Sequence, residues 1–300
     1  MTLRQLESFL AIAREGTFTR AAHRLHLSQP TLSEHVLELE RELGTPLFSR
    51  RHRQVVLTEA GRVLEPYVSR IITTLESATQ AVAELDGLQH GSLLIGASTT
   101  PGIYVLPRII GLFRATYPGI TLSLQIANSR AIEERVRAAQ LDLGIVGGHV
   151  LGAGERCLTA GLVDELVLIV PRGHAWAKRG TIGAEHVREQ PLLMREEGSA
   201  TRLLTERALQ RAGLECRPVM ELDHTEAIKQ AVMAGLGVAL VSVHAVRREI
   251  AARHLSALRV RGLELRRHFH VIHDQDRPLS GSARAFVRLL EAEAKTKAKP

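Results

Sequence analysis

The chain has few aromatic residues, almost no cysteine and no long apolar run. Phe, Tyr and Trp together make up 3% of its 300 residues. So few rings argue against base stacking as a way of holding nucleic acid, which needs successive aromatic platforms. Two cysteines, Cys157 and Cys216, cannot build a disulfide framework and fit a reducing compartment. Their wide separation, without a cationic cluster around both, speaks against a redox switch. No stretch of about eighteen apolar residues occurs and no signal-peptide core opens the sequence, so a cytoplasmic protein without membrane contact is expected. Also missing are a Ser/His/Asp order, a paired-carboxylate motif, a phosphate loop and a dinucleotide fingerprint. No enzyme, no cofactor and no catalytic residue are expected.

What is present describes an ordinary soluble protein of two or three domains, 45% hydrophobic and 24% charged. The net charge of +7 favours polyanionic partners. It supports this only weakly, since the N-terminal segment mixes glutamates with its arginines and the tail holds Lys295, Lys297 and Lys299. Among 14 histidines, His268 and His270 share one face of a predicted strand and His273 the other. Without an acidic or cysteine partner nearby, they do not predict a metal site.

Residues 17–43 carry the most information. Ala21, Ala22 and Leu25 mark one face of a short helix that Thr17 or Thr19 can cap, and His26 and Leu27 make a tight turn. A second helix opens at Ser28-Gln29-Pro30, with Ser28 as cap and proline tolerated in the first turn. Leu32, Val36, Leu39 and Leu43 then form an apolar stripe, while Gln29, Thr31, Ser33, Glu34 and His35 are expected to point away from it. Short hydrogen-bonding side chains in front of such a stripe suit a helix entering the major groove. Gly44-Thr45-Pro46 stops the helix, and Arg50, Arg51 and Arg53 around His52 lead into Val55-Val56-Leu57. That pattern is a basic hairpin, a wing whose guanidinium groups would meet phosphate.

The order of these elements resembles the LysR-type transcriptional regulators along essentially the whole chain. The resemblance rests on Leu3-Arg4-Gln5-Leu6, Phe9, Gly16 to Ala22, Leu27 to Ser33, Leu39-Glu40, Leu43-Gly44, Leu47-Phe48 and Leu57-Thr58-Glu59-Ala60-Gly61. It implies an α plus α/β protein: a winged helix-turn-helix over 1–58, a dimerising linker helix over 59–90, and an effector-binding domain over 91–300. That last domain would resemble type 2 periplasmic binding proteins. Arg20, Ser28, Gln29, Thr31, Ser33, His35, Arg50, Arg51 and Arg53 become the candidate DNA contacts, on an inverted-repeat operator. A homodimer, and through the resemblance a dimer of dimers, follows.

In the linker, Val63, Leu64, Val68, Ile71, Ile72, Leu75, Ala78, Val82 and Leu85 recur at three-four spacing, with Pro66 as a tolerable kink. So wide a stripe predicts an antiparallel seam with a second subunit. After Gly91 the pattern alternates strand and helix. Strands are expected at 92–97, 120–127, 141–146, 166–170, 219–222, 238–241 and near Phe269 and Val271. Helices are expected through 106–113, around Ile132 and Val136, and over 201–212, 225–234 and 282–294; 98–102 reads as a turn. Two crossings of the chain would separate subdomain I, about 91–163 and 267–300, from subdomain II, about 164–266.

Small ligands in such sheets lie beyond the carboxyl ends of strands, at helix N-termini. Ser98, Thr99, Thr100, Asn128, Ser199, Thr201, Arg202 and Thr225 fall at such places. Hydroxyls, free N–H groups and one guanidinium predict a small anionic effector, a carboxylate or an inorganic oxyanion. The resemblance supports Ser98, Thr100 and the 199–201 region as effector contacts. The stretch Arg195-Glu196-Glu197-Gly198-Ser199 looks closest to regulators of inorganic sulfur, nitrogen or carbon assimilation. Two other readings remain open: an architectural DNA-binding protein with a ligand-free effector domain, and a solute-binding α/β protein.

Overall fold

A computed structural model describes the chain except residues 52–53, 84–87, 89, 149–154, 216 and 299–300. For residues 50, 51, 54, 80, 81, 83, 155, 156, 158–160 and 296–298 it describes the backbone alone. Two compact units result, one of Met1–Ala83 with Ala138–Gln140, the other of Glu84–Arg137 with Leu141–Pro300.

In the first unit, α1 (Leu3–Glu15), α2 (Phe18–Leu25) and α3 (Gln29–Leu43) precede a hairpin of β1 (Phe48–Arg51) and β2 (Gln54–Leu57), then α4 (Glu59–Ala83). Local chemistry sets each boundary. Thr2 and Gln5 form a reciprocal capping box on α1, Thr17 caps α2, and Ser28 caps α3 ahead of Pro30. Gly16, His26 and Gly44 end these helices in the left-handed conformation. One carboxylate oxygen of Glu40 accepts the N–H groups of Leu47 and Phe48 at 2.7 and 3.2 Å, which fixes where the hairpin leaves α3. Phe9, Ile12, Ala21, Leu32, Leu39 and Leu47 form the interior.

The linker stripe divides. Val68 is fully buried in this interior, and Leu64 and Ile72 pack against the same cluster. Val63, Tyr67, Ile71, Leu75 and Val82 stay exposed. Val68 therefore does not belong to the predicted seam; it faces α1, because α4 completes the core of a domain too small to close itself. Pro66 sits inside the continuous helix, and Leu85 lies outside the described residues.

The second unit runs β3 (Gly91–Ser98), α5 (Thr99–Tyr104), α6 (Leu106–Thr116), β4 (Ile120–Ala127), α7 (Ser129–Arg137), β5 (Leu143–Gly147) and β6 (Glu155–Pro171). It continues with β7 (Thr181–Gly183), a 3-10 turn over 184–189, β8 (Leu192–Arg195), α8 (Ala200–Arg211), β9 (Met220–Leu222), α9 (Thr225–Met233) and β10 (Val238–Ser242). Then come α10 (Val243–Ala251), β11 (Leu255–Arg261), β12 (Arg266–Asp274) and α11 (Gly281–Ala298). The strands pair in the order β4-β3-β5-β12-β6-β10-β8-β9, with β11 joining β6 to β7. As the βαβαβ pattern predicts, β3 is parallel to β4 and β5, while β12 runs antiparallel to the first part of β6, Glu155–Glu165, with a bulge at Phe269/His270.

Those two long strands carry the chain between two lobes. Leu93, Ile95, Phe113, Leu162, Phe269 and Phe286 fill the core of the first. The second lobe has a core on each face of its strands, around Leu166, Leu240 and Leu258 and around Ile169, Ile228 and Val241. Two expectations change here. The segment 98–102 is no turn, since Ser98 ends β3 and α5 begins at Thr99. The strand expected at 166–170 begins eleven residues earlier, at Glu155, because its first half pairs within the first lobe.

Candidate functional sites

On α3, Ser28 and Gln29 are exposed and Thr31 and Ser33 half-buried, while Leu32, Val36 and Leu39 are buried behind them. Ser28 Oγ lies 2.7 Å from Thr31 Oγ1, and Thr19 Oγ1 donates to Gln29 Oε1 at 3.3 Å. The second of these bonds ties the first turn of α3 to α2. The exposed Arg20 donates to the Glu15 carbonyl and to Thr17 Oγ1. His35 departs from expectation: its Nδ1 lies 2.8 Å from the buried Ser8 Oγ, so the ring faces α1 rather than outward. Arg50 and Arg51 belong to β1, their side chains undescribed, and Arg53 with His52 lies outside the described residues.

In the second unit the ends of β3, β4 and β8 bring Ser98, Thr99, Thr100, Asn128, Ser199 and Thr201 around one narrow cleft. The space among them is about 10 Å³, room for roughly one water molecule. Arg195 and Arg267 also line it, and the sequence had marked neither as a ligand contact. Arg195 is 3% exposed and ends β8. It donates to Thr99 Oγ1 at 3.2 Å across the cleft, to Thr225 Oγ1 at 2.9 Å, and twice to Glu196 at 2.7 and 2.9 Å. Thr225, expected to meet ligand directly, accepts from Arg195 and is not among the residues lining this narrow cleft.

Arg267 donates to the wholly buried Asp164 at 2.8 Å, directly across the β6–β12 pair, and reaches Thr100 Oγ1 at 3.5 Å. Ser242 donates to the other Asp164 oxygen at 2.5 Å. Burial pushes the pKa of Arg267 down, and the Asp164 carboxylate opposes that shift. A guanidinium keeps its proton regardless.

Arg202 does not supply the predicted free cation. Its guanidinium is taken by Glu206 at 2.7 Å and by Glu221, and hydrogen bonding to Glu206 above all raises its pKa. It lines instead an adjoining cavity of about 330 Å³ with Ser129, Arg130, Gly148 and Glu197. The lobes touch there. Arg130 N donates to Gly198 O at 3.2 Å, and its side chain meets Glu197 at 3.0 Å. Gly198 has φ +89°, and a Cβ on it would come within 3.2 Å of Arg130 Cβ, so glycine is required for this approach. Near the crossing strands the His268 and His270 rings lie 6.4 Å apart, on one face as predicted. Cys157 is half-buried, and Cys216 lies outside the described residues. No described helix is long and apolar enough to cross a membrane.

Two family models match the chain. The bacterial regulatory helix-turn-helix protein model of the lysR family covers residues 3–62, and the LysR substrate binding domain model covers 86–295. Among curated relatives, a "Probable RuBisCO transcriptional regulator" of Synechocystis is 39% identical over 292 residues, covering 96% of this chain and 85% of its own. The HTH-type transcriptional activator CmpR of Synechocystis is 38% identical over 291 residues, 97% of this chain and 95% of its own. Among solved structures, the CcmR regulatory domain of Synechocystis PCC6803 in complex with 2-PG is 31% identical. It covers 69% of this chain and 98% of its own, with a TM-score of 0.64. The helix-turn-helix with its basic hairpin and the two-lobed sheet are thus the two halves of one known architecture, and the chain belongs to the LysR family of DNA-binding transcriptional regulators.

Proposed function

We propose that the protein reads an inverted-repeat DNA site and adjusts its grip when a small anion binds between the lobes of its second unit. The observation that carries this reading is the pair of buried guanidinium groups, Arg195 and Arg267, facing the hydroxyls of Thr99 and Thr100 across the cleft. Ser199 and Thr201 add hydroxyls at the N-terminus of α8, where N–H groups favour negative charge. A relative's regulatory domain is named as a complex with 2-PG, which makes 2-PG the first probe. Of sulfur, nitrogen and carbon assimilation, the relatives' names favour carbon.

Ser28, Gln29, Thr31 and Ser33 are the base and phosphate contacts in this reading, Arg20 a flanking one, and Arg50, Arg51 and Arg53 the wing's backbone contacts. His35 acts behind them by positioning α3. The exposed row Val63, Ile71, Leu75 and Val82 meets the same row of a second copy, giving a dimer and by family likeness a dimer of dimers. The DNA-binding domain spans 1–58 and borrows Leu64, Val68 and Ile72 from the 59–90 linker. The boundary between subdomains falls near 163–164 and 266–267, supported by Leu162 and Phe269 packing in one core and Leu166 and Leu265 in another. The protein works in the cytoplasm and binds its effector without turning it over, in keeping with relatives named as regulators.

Calorimetry of the full chain with 2-PG tests the site. Binding should be seen, and Thr100→Val, which removes a hydroxyl and keeps its shape, should weaken it about five- to tenfold. Equal affinity in both proteins would move the site elsewhere. Binding to an operator with no response to any small anion would favour the architectural reading.

A further inference from the structure

The two buried guanidinium groups are neutralised in different ways. Arg267 faces Asp164, a carboxylate with no exposure, held by Ser242 and locked between paired strands. Arg195 is neutralised by its own neighbour, Glu196, whose side chain is 17% exposed. Among the described residues, Arg195 is the sole side-chain partner of Glu196. A guanidinium has five N–H donors. Four hydrogen bonds already use those of Arg195, two of them to the Glu196 carboxylate in the forked geometry an incoming carboxylate or phosphate would seek. The cleft beside it has about 10 Å³ of free space.

We propose that Glu196 is an internal competitor: its carboxylate occupies the donor pair of Arg195, and the effector's anionic group must displace it to bind. The proposal rests on the anion-binding reading of the cleft and adds the residue that decides which ligands enter. Displacement needs only rotation of one side chain, because Glu196 follows Arg195 in the chain and has a path to solvent. A neutral ligand would leave a guanidinium with 3% exposure uncompensated, so it is excluded. An anion restores the balance and passes. Apparent affinity is lowered by the fraction of molecules in which Glu196 holds the fork.

The alternative role for Glu196 is to orient Arg195 for the ligand, and the two roles differ in sign. Thermal unfolding and calorimetry on the full chain, with 2-PG and inorganic phosphate as probes, separate them. Competition predicts that Glu196→Gln melts at lower temperature without anion, gains a larger anion-induced rise, and binds both anions roughly tenfold tighter or more. If Glu196→Gln does not fold, Glu196→Asp, whose shorter reach loosens the fork, should show the same direction. Unchanged or weaker binding in the variant that folds overturns the competition while leaving the anion site standing. Silence of wild type and variants toward both anions overturns the anion site and this inference with it.

Discussion

On α3 the polar groups offered to a partner are exposed or half-buried and lie within six positions of one another. Between the lobes they are buried and come from segments as much as 167 positions apart, with each cation already matched by a carboxylate. A duplex is approached from solvent, so groups that read it can stay hydrated until contact and need only a rigid backbone beneath them. A small ligand is engulfed, and its site must hold charge in low dielectric before the ligand arrives. Uncompensated, such charge would destabilise the lobes. Helix α4 repeats the contrast along one element, with Val68 in a core and Leu75 in solvent.

Removing a compensating charge should therefore break the second site far more than removing a contact breaks the first. Asp164→Ala leaves Arg267 buried and unpaired and takes the acceptor from Ser242; urea denaturation should show about 3–5 kcal/mol of lost stability. Stability within about 0.5 kcal/mol of wild type would show that Arg267 is not held by this carboxylate. The linker pair comes next. Val68→Glu puts a charge in the core beside Phe9 and Leu39 and should cost several kcal/mol. Leu75→Glu should instead lower the sedimenting mass with little change in far-UV circular dichroism. Equal behaviour of the two would erase the division of the stripe.

The smallest effects belong to the exposed site. Ser33→Ala should weaken specific binding by about 1 kcal/mol and barely affect random DNA. Arg51→Ala should weaken both and reduce the salt slope by about one unit. Fluorescence anisotropy across a salt series checks both, and a Ser33→Ala effect equal on all sequences would make that hydroxyl a phosphate contact.

The legibility of each region follows the same division. Caps, turn and stripe of α3 are local, so Thr17, Ser28, Leu32 and Gly44 could be read from neighbouring residues alone. The strand-end hydroxyls were legible because each precedes a helix. Arg195 and Arg267 were not, because nothing local tells a strand-end arginine in the cleft from one in solvent. The available signal was the register of two strands: an aspartate in the middle of an apolar strand, Asp164, calls for a cation opposite it, and Arg267 stands there. Arg202 looked correct for a local reason, being just inside a helix, but Glu206 one turn on and Glu221 on β9 claim it. Short strands such as β7 and β8 and helix α10 escaped notice because three to nine residues of mixed character carry little periodicity.

Occupation of the buried site should change the use of the exposed one. Titration of the full chain onto DNA from beside its own gene, with and without saturating 2-PG, for wild type and Arg195→Lys, reads that coupling. Lysine keeps the charge and loses the fork. With 2-PG, wild-type affinity or footprint should shift by roughly five- to a hundredfold, the range of ordinary coupling energies, and Arg195→Lys should lose most of that shift. Calorimetric binding of 2-PG to wild type with an identical DNA isotherm and footprint would contradict it.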